Sequence, residues 1–416
     1  MQLKRAERDS LTLWLGQYVA GARVSKFGVM SSDDVKESIA PEIKEKLEKA
    51  SDRDGFIGLI EKKLHRRILK THNITESRSV LVTSLDGFSD TLKIARDLTA
   101  EFEALPVEYL LLVRAPAALA STVRSLELDV KLSDRFGLIS SSLIQNRVKF
   151  GDLKNPEVSH IWRQNKIENR YLAKSHLYFY YHAKGFISET YQSSHFGEFM
   201  NEIRAFYGVC LAHEILFAYE ERQDVRPILL AIDKATEFVD EVGNFDSDLI
   251  EATYFDSSDK VKTRYLKSSN FLRLISPIVE FFACNSPRLK TASIWLLRAM
   301  VSNREMDRIL ESAIALEVLL GDRAMSDKVG LTRLMSNRCA YSLAKSAKER
   351  DHYQKFFNRF YAARSDIVHK GYFDSSGGNE RLAWEALDLS RRMLVYEQSI
   401  EACSDEPVVF GDDIPF

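Results

Sequence analysis

The sequence is poor in cysteine, and the cysteines it has are scattered. Its four cysteines are Cys210, Cys284, Cys339 and Cys403, with no C-x-x-C pair and no histidine at ligand spacing. A zinc site and a disulfide framework are therefore both excluded as organising elements. We expect buried free thiols in a reducing cytoplasm.

Long hydrophobic runs are also missing. The chain opens on charged and polar residues instead of the apolar core of a signal peptide, and no window approaches the roughly 18 apolar residues of a membrane span. With 45% hydrophobic and 28% charged residues, the composition is typical of a folded, water-soluble protein. A length of 416 residues predicts more than one domain. Together these features favour a cytoplasmic protein without a membrane partner.

An excess of one sign of charge is missing too. The formal net charge of −2 excludes a uniformly basic surface, so any site for a polyanion must come from a local cluster. The chain contains no G-x-G-x-x-G motif and no P-loop, so nothing indicates a nucleotide cofactor. We therefore predict neither a cofactor nor a metal.

The hydrophobic pattern predicts an α+β protein, with an N-terminal mixed α/β region followed by an all-helical bundle. Residues 1–75 have apolar positions at helical spacing and predict a helical segment. Residues 76–284 are interpreted as a mixed α/β sensor or regulatory region. Its clearest strand is the continuous apolar run from Val107 to Val113, which suits burial on both faces. Further strands are expected near 79–83, 126–132, 136–144 and 177–182, with helices over 91–105 and 196–219.

The last third of the chain is helical by pattern. Residues 285–405 predict a bundle with short connections, and its helices are expected over 288–303, 304–321, 330–347, 349–369 and 379–403. The first starts at Asn285-Ser286-Pro287, with Ser286 as N-cap and proline at the first helical position. We place the domain boundary near residue 285, or near 265 if the helix through Phe271 belongs to the bundle. Residues 406–416 form an acidic tail, either a solubilising end or a restraint on a basic groove.

Arg364 and His369 end the fourth helix of this bundle. Extending the helix's apolar stripe at helical spacing reaches Arg364, and the stripe consists of Tyr353, Phe356, Phe357, Phe360 and Ile367. An arginine on a packing stripe must be paired or must face a shared cleft. Gly371 is the expected C-cap, where the chain leaves the helix in a left-handed conformation.

The same Arg-x4-His spacing occurs a second time, at Arg67 and His72. That copy lies in a highly charged helix, and we interpret it as a solvated face. Spacing alone therefore does not identify a site.

Three segments in order carry a family resemblance. They are Ile294-Trp295-Leu296-Leu297-Arg298-Ala299, then Ile314-Ala315-Leu316-Glu317-Val318-Leu319-Leu320, then Tyr361 with Arg364-Ser365-Asp366-Ile367-Val368-His369. Over about residues 285–405 the chain resembles the HEPN domains of the Apea-like group. The resemblance implies a homodimeric helical bundle in which the Arg-x4-6-His motifs of two protomers face each other and form one ribonuclease site. Arg364 and His369 fall on that motif as the catalytic residues.

The resemblance also implies supporting residues around the motif. Ser365 and Asp366 occupy the small and polar positions that often follow the arginine in this group. Glu317 matches the acidic residue of the Ala-Leu-Glu helix, and by position it holds either Arg364 or another arginine such as Arg338.

The two motif side chains suit RNA cleavage without a metal. The 2′-OH attacks the adjacent phosphate, so the site must move a proton and stabilise a more negative phosphorane. A histidine exchanges protons near neutral pH, and a guanidinium forks two hydrogen bonds onto phosphate oxygens. The expected products are a 2′,3′-cyclic phosphate and a 5′-hydroxyl.

Local charge near the motif is basic. Between Ala344 and Lys370 there are seven basic and three acidic residues. Lys355, Arg359 and Lys370 are our candidates for RNA backbone contacts, although a solvated helix face has the same composition. Lys370 also departs from the family pattern, because it separates the histidine from the glycine that follows directly in some relatives.

Two classes of function remain open from the sequence. The first is an endoribonuclease of the toxin or antiphage-defence type, in which residues 1–284 bind a trigger or regulatory protein and gate the HEPN dimer. The second is a non-catalytic HEPN protein that dimerises and binds RNA or a nucleotide. Two other features favour structural roles: His213 lacks the second histidine of a metalloprotease helix, and the aromatic run Tyr178 to Tyr181 suits a sheet core better than a base-stacking surface.

Overall fold

The computed structural model describes most of the chain, and it shows an α+β protein whose last third is all helical. The described residues are 3–26, 28–51, 56–69, 71–74, 78–104, 107–116, 119–120, 127–147, 177–185, 194–217, 229–233, 239–241, 249, 252, 256–257, 268–321, 330–371 and 379–402. The predicted acidic tail and Cys403 lie outside them. No helix within these ranges is both long and apolar enough to cross a membrane.

The N-terminal unit is mainly helical, as the pattern predicts. Its helices are α1 (Arg5–Gly21), α2 (Asp33–Glu37), α3 (Pro41–Ser51), α4 (Phe56–Leu69) and α5 (Thr91–Glu103). It also contains an antiparallel sheet in the order β2-β1-β3, made of β1 (Arg23–Ser25), β2 (Gly28–Met30) and β3 (Val80–Leu81). Strands β1 and β2 lie inside the segment predicted as helical, because three-residue strands are too short to show an alternating pattern.

The core of this unit continues past residue 75. Leu11 and Leu15 of α1 share one buried cluster with Ile94, Leu98 and Phe102 of α5. The unit therefore includes α5, whose apolar stripe needs the face of α1 to leave water.

A six-stranded sheet follows, and all its pairs are antiparallel. Its strands are β4 (Val107–Arg114), β5 (Asp129–Lys131), β6 (Phe136–Ser140), β7 (Leu177–Gly185), β9 (Leu229–Asp233) and β10 (Val239–Glu241). Across the sheet they lie in the order β10-β9-β4-β7-β6-β5. Strand β4 is buried on both faces, as predicted: Leu111 and Val113 join the large core, and Leu112 joins a smaller cluster on the other face. The aromatic run in β7 is buried as sheet core, with Tyr178 to Tyr181 at most 7% exposed.

One predicted strand is only half correct. The expected strand over 136–144 ends at Ser140, and helix α6 (Ser141–Arg147) begins there. Ile144 of α6 packs with Leu112, Tyr178 and Tyr180 against the outer face of the sheet. The apolar residues after Ser140 thus cover the sheet instead of extending it.

The remaining helices of the described residues are α7 (Ser194–Ala212), α8 (Ser268–Ala283), α9 (Pro287–Val301), α10 (Glu305–Leu320), α11 (Leu331–Leu343), α12 (Ala347–Lys370) and α13 (Asn379–Ala402). Two short strands, β8 (Leu216–Phe217) and β11 (Asp256–Ser257), pair with each other. The five helices predicted from residue 288 onward are confirmed as α9 to α13. Ser286 caps α9, because its side chain accepts a hydrogen bond from the Leu289 N–H and proline follows it.

The sheet and the bundle share one hydrophobic core. A single cluster runs from Phe136 and Phe179 of the sheet, through Phe206 of α7, to Leu297 of α9 and Phe357 of α12. The core therefore does not divide at residue 285. Buried Cys210 and Cys339 belong to this cluster as free thiols, while Cys284 is half-buried.

Helix α7 joins the two parts through a very close helix contact. A Cβ atom added at Gly208 would lie 2.0 Å from the Ser293 carbonyl oxygen on α9. Beside this crossing, Lys290 pairs with Glu202 at 3.0 Å between Nζ and Oε1. The bundle is thus anchored on the antiparallel sheet through α7.

Candidate functional site

Helix α12 positions the predicted motif. It starts at the N-cap Ser346, whose side chain accepts a hydrogen bond from the Glu349 N–H, and it ends at Gly371 with φ of 72°. The Gly371 N–H donates to the Ile367 carbonyl at 3.0 Å. The predicted left-handed glycine cap is confirmed, and it leaves His369 in the last helical turn.

Arg364 lies on the packing side of α12, as its position on the apolar stripe predicts. Its side chain is 31% exposed, and its Nη2 lies 3.3 Å from Oε1 of Glu317 on α10. Arg338, the other arginine considered for Glu317, donates from Nη1 to the Leu320 carbonyl at 2.8 Å. The acidic residue of the Ala-Leu-Glu helix therefore pairs with the motif arginine.

Tyr361 joins the same carboxylate, and this contact was not anticipated. Its hydroxyl donates to Oε1 of Glu317 at 3.1 Å and also lies 3.5 Å from Sδ of Met335. Burial, followed by the nearby Glu317 charge, raises the pKa of Tyr361, so the hydroxyl keeps its proton. The spacing of three residues between Tyr361 and Arg364 is the signal that could have revealed it, because residues three apart lie on one helix face.

His369 lies away from this network. It is exposed, as is Ser365, while Asp366 pairs with Lys370 at 2.8 Å between Oδ1 and Nζ. A helix turns by about 100° per residue, so five residues separate Arg364 from His369 by about 140° around the axis. One chain thus brings Arg364 to Glu317 and Tyr361, but it does not bring His369 to Arg364.

The predicted RNA-contacting residues are exposed and loosely paired. Lys355 pairs with Asp351 at 2.7 Å, with its side chain 75% exposed, and Arg359 lies 3.7 Å from Glu385, with its side chain 66% exposed. Exposed pairs of this kind contribute about 0–1 kcal/mol, so a phosphate can compete for these cations. By helix geometry both lie within about 80° of His369 around the axis, on the outer face of α12.

The second Arg-x4-His copy has a different environment from the one predicted. Arg67 is not on a solvated face: its Nη2 lies 2.6 Å from Oε1 of Glu101, and its Nη1 lies 3.2 Å from Oδ2 of Asp97, both on α5. His72 contacts the Thr71 hydroxyl at 2.8 Å. The charged pattern of α4 was misleading because α5 supplies matching carboxylates across a helix contact. An arginine paired with glutamate is therefore not specific to the C-terminal motif.

His213 has the structural role that was predicted for it. Its Nε2 lies 2.9 Å from Oε1 of the buried Gln398, whose amide donates to the Pro277 carbonyl at 2.7 Å. Burial lowers the pKa of His213, which favours the neutral ring in this packing network.

Comparison with known proteins identifies no relative. No protein-family model matches the sequence, and neither a curated protein nor a solved structure matches it.

Proposed function

We propose that the chain is a metal-independent endoribonuclease of the HEPN type, active as a homodimer. One observation carries the proposal. A half-buried arginine, held by Glu317 across a helix contact, is followed five residues later by an exposed histidine at a glycine-capped helix end. The family resemblance of residues 285–405 assigns these two positions to catalysis.

The chemistry divides between the two side chains. The 2′-oxygen forms a bond to phosphorus, its proton passes to a base, and the bond from phosphorus to the 5′-oxygen breaks while that oxygen takes up a proton. His369, being exposed, can exchange these protons with the substrate and with water. The Arg364 guanidinium can hydrogen-bond the phosphorane oxygens as their charge increases.

Helix geometry supports the need for a second copy. With Arg364 and His369 about 140° apart around α12, a phosphate bound at one of them is turned away from the other. A second α12 facing the first would supply the missing group, with the exposed Lys355 and Arg359 alongside to hold the RNA backbone. The site would therefore be incomplete in a monomer.

Cleavage is expected to proceed unchanged in EDTA. Neither a nucleophile nor a charge-stabilising group in this scheme requires a metal, and the products should carry 2′,3′-cyclic phosphate and 5′-hydroxyl ends. The measurement is incubation of the full chain with total RNA or tRNA in EDTA, followed by end-group analysis. Products with 5′-phosphate ends, or activity that depends on added Mg²⁺, would contradict the proposal.

A polar relay supports gating of α12 by the rest of the chain. Arg391 of α13 pairs with Glu214, after the end of α7, at 2.8 Å, and with Asp388 at 2.8 Å. Asp388 also lies 3.3 Å from Nε of Arg392, which hydrogen-bonds the Tyr353 hydroxyl of α12. We call these five residues the Asp388 relay. It joins the α+β region to the helix that carries Arg364 and His369.

The backbone at the start of the relay is strained. Glu214 has φ of 58°, a left-handed conformation that favours glycine, and it ends α7 with the Ile215 N–H donating to the Cys210 carbonyl. A non-glycine residue here costs on the order of 1 kcal/mol. The ion pair between Glu214 and Arg391 offsets part of that cost. A Glu214→Gly substitution would remove the strain together with the ion pair.

Breaking the Asp388 relay is expected to remove the restraint that the α+β region places on α12. Asp388→Ala and Glu214→Ala should each raise basal RNA cleavage by about fivefold or more, the lower range of a typical allosteric coupling. Asp307→Ala is the matched control: it removes a half-exposed carboxylate in the first turn of α10 that, among the described residues, pairs only with Arg304 of the same segment, at 3.7 Å. Cleavage rates equal to wild type in both relay variants would show that these contacts only pack the helices. A trigger or regulatory protein would then have to control cleavage through contacts other than the Asp388 relay.

One observation favours the non-catalytic alternative. The ion pair with Glu317 engages Nη2 of Arg364, which leaves fewer guanidinium donors for a substrate. A HEPN protein used for dimerisation and RNA or nucleotide binding would tolerate that arrangement. It predicts salt-sensitive RNA binding with no turnover in the EDTA experiment.

A further inference from the structure

Two side chains of α12 contact one carboxylate oxygen of α10, one through a hydrogen bond and the other through an ion pair. Tyr361 donates its hydroxyl proton to Oε1 of Glu317 at 3.1 Å, and Arg364 places Nη2 3.3 Å from the same atom. Tyr361 and Arg364 lie one helical turn apart, so they approach Glu317 from the same face of α12. Glu317 thus has a second partner that limits its side-chain freedom while it holds the arginine.

Tyr361 itself is rigidly placed. It is 8% exposed, and its ring stacks on Phe357 with centroids 5.1 Å apart and planes inclined by 10°. Phe360 contacts the same ring edge-on at 5.4 Å. Because two aromatic neighbours fix the ring, the position of the hydroxyl is set by the bundle core and not by solvent.

An arginine on its own would not be held in this way. Arginine and glutamate side chains are both long and lose much rotamer freedom when they pair, so an isolated, partly exposed pair populates several geometries. Anchoring the glutamate with a buried hydroxyl selects among these geometries. Residues that fix a catalytic group in this manner matter because small displacements of that group are costly in rate.

We propose that Tyr361 is a positioning residue that orients Arg364 through Glu317, an inference that rests on the proposed ribonuclease function. Tyr361 does not touch the substrate in this scheme and transfers no proton. Its effect on the reaction passes entirely through the shared carboxylate oxygen.

The activity test is the pair of variants Tyr361→Phe and Glu317→Gln, alone and combined. Tyr361→Phe should lower kcat by about tenfold to a hundredfold, with little change in KM, because the guanidinium is misplaced in the transition state more than in binding. The double variant should be no slower than Glu317→Gln alone, because both changes break one chain of contacts. Tyr341→Phe is the matched control: this tyrosine lies on α11 and is 68% exposed.

A second measurement does not depend on activity. The Nε–H signal of Arg364 in an NMR spectrum of the full chain can be assigned by its loss in Arg364→Lys. It should shift or broaden in Tyr361→Phe and stay unchanged in Tyr341→Phe. A hydroxyl that merely stabilises the bundle would lower the melting temperature but leave this signal and the rate per folded molecule unchanged, which would overturn the inference.

The two proposals can fail separately. If wild type cleaves RNA but Tyr361→Phe cleaves it equally fast, the positioning role is wrong and the ribonuclease remains. If wild type does not cleave RNA, the ribonuclease proposal fails, and the Arg364 signal alone decides whether Tyr361 orients the arginine. Should Tyr361→Phe not fold, the Tyr361 hydroxyl proton of the folded chain can be followed instead: it should shift in Glu317→Gln, and an unchanged hydroxyl signal would overturn the inference.

Discussion

Replacing His369 by alanine is expected to lower the rate of RNA cleavage by about a hundredfold to ten-thousandfold, the usual contribution of a positioned acid or base. The fold should be unaffected, because His369 is exposed at the end of α12 and the Gly371 cap is formed by backbone atoms. Cleavage kinetics with a defined RNA in EDTA, alongside the melting temperature, separate loss of chemistry from loss of structure.

Arg364 should show a comparable loss for a different reason. Arg364→Ala removes the guanidinium and leaves Glu317 with Tyr361 as its partner. Arg364→Lys keeps the charge but not the two-pronged donor geometry, so it should restore little activity. A lysine variant as active as wild type would mean that only charge is needed at this position.

The N-terminal copy of the spacing provides a matched control. Arg67→Ala and His72→Ala remove the same residue types at the same separation, with the arginine likewise paired to a glutamate. They should reduce stability of the α4–α5 contact but leave the cleavage rate per folded molecule unchanged. If the Arg67 and Arg364 variants lose activity equally, the motif assignment is wrong.

Cleavage that survives both Arg364→Ala and His369→Ala would also reject the HEPN-type mechanism. Because the active site is proposed to need two copies, mixing the two single variants offers a further check. A heterodimer that combines an intact arginine from one chain with an intact histidine from the other should recover part of the activity. Two variants that stay inactive when mixed, although they form heterodimers, would indicate that each chain acts alone.

Gly208→Ala is expected to destabilise the fold strongly through a single added methyl group. The new Cβ would lie 2.0 Å from the Ser293 carbonyl oxygen, far inside van der Waals contact, so α7 and α9 must move apart. Overpacking of this kind costs about 3 kcal/mol, against about 1 kcal/mol that alanine gains over glycine within a helix. The midpoint of urea unfolding should fall clearly, and soluble yield with it.

The same helix contains the control for this substitution. Gly197 also lies in α7, but nothing is found within 4 Å of an added Cβ. Gly197→Ala should therefore stabilise the chain by about 0.5–1 kcal/mol, through helix propensity alone. Equal effects at the two glycines would show that α7 and α9 do not approach each other closely.

Much of the C-terminal fold could be predicted, because a long helix repeats its apolar spacing over several turns. Helices α9 to α13 each carry several turns of apolar spacing, and Ser286 and Gly371 mark ends by local chemistry. Strand β4 was equally clear, as a continuous apolar run after a proline. Strands β1 and β2 could not be found, because three residues carry no periodicity, and the pairing of β1 with β3 joins residues 56 to 58 positions apart.

Side-chain partners were harder to predict than helices, because a partner is chosen by packing between distant elements. The pattern of α4 predicts a solvated Arg67, whereas α5 supplies Asp97 and Glu101 as its partners. Likewise, the pattern that predicts a boundary near residue 285 does not indicate that Gly208 and Ser293 approach each other across it. Pattern rules describe one element at a time, whereas these contacts depend on where two elements meet.

The sequence by itself determined that Arg364 lies on a packing stripe and that His369 ends its helix, since both follow from local periodicity and a glycine cap. Only the tertiary structure decided which arginine Glu317 holds. Glu317 had two candidate partners, and the crossing of α10 with α12 brought it to Arg364 and Tyr361, while Arg338 went to a backbone carbonyl. The physical reason is that an ion pair depends on the relative placement of two helices, which no periodicity within either helix contains.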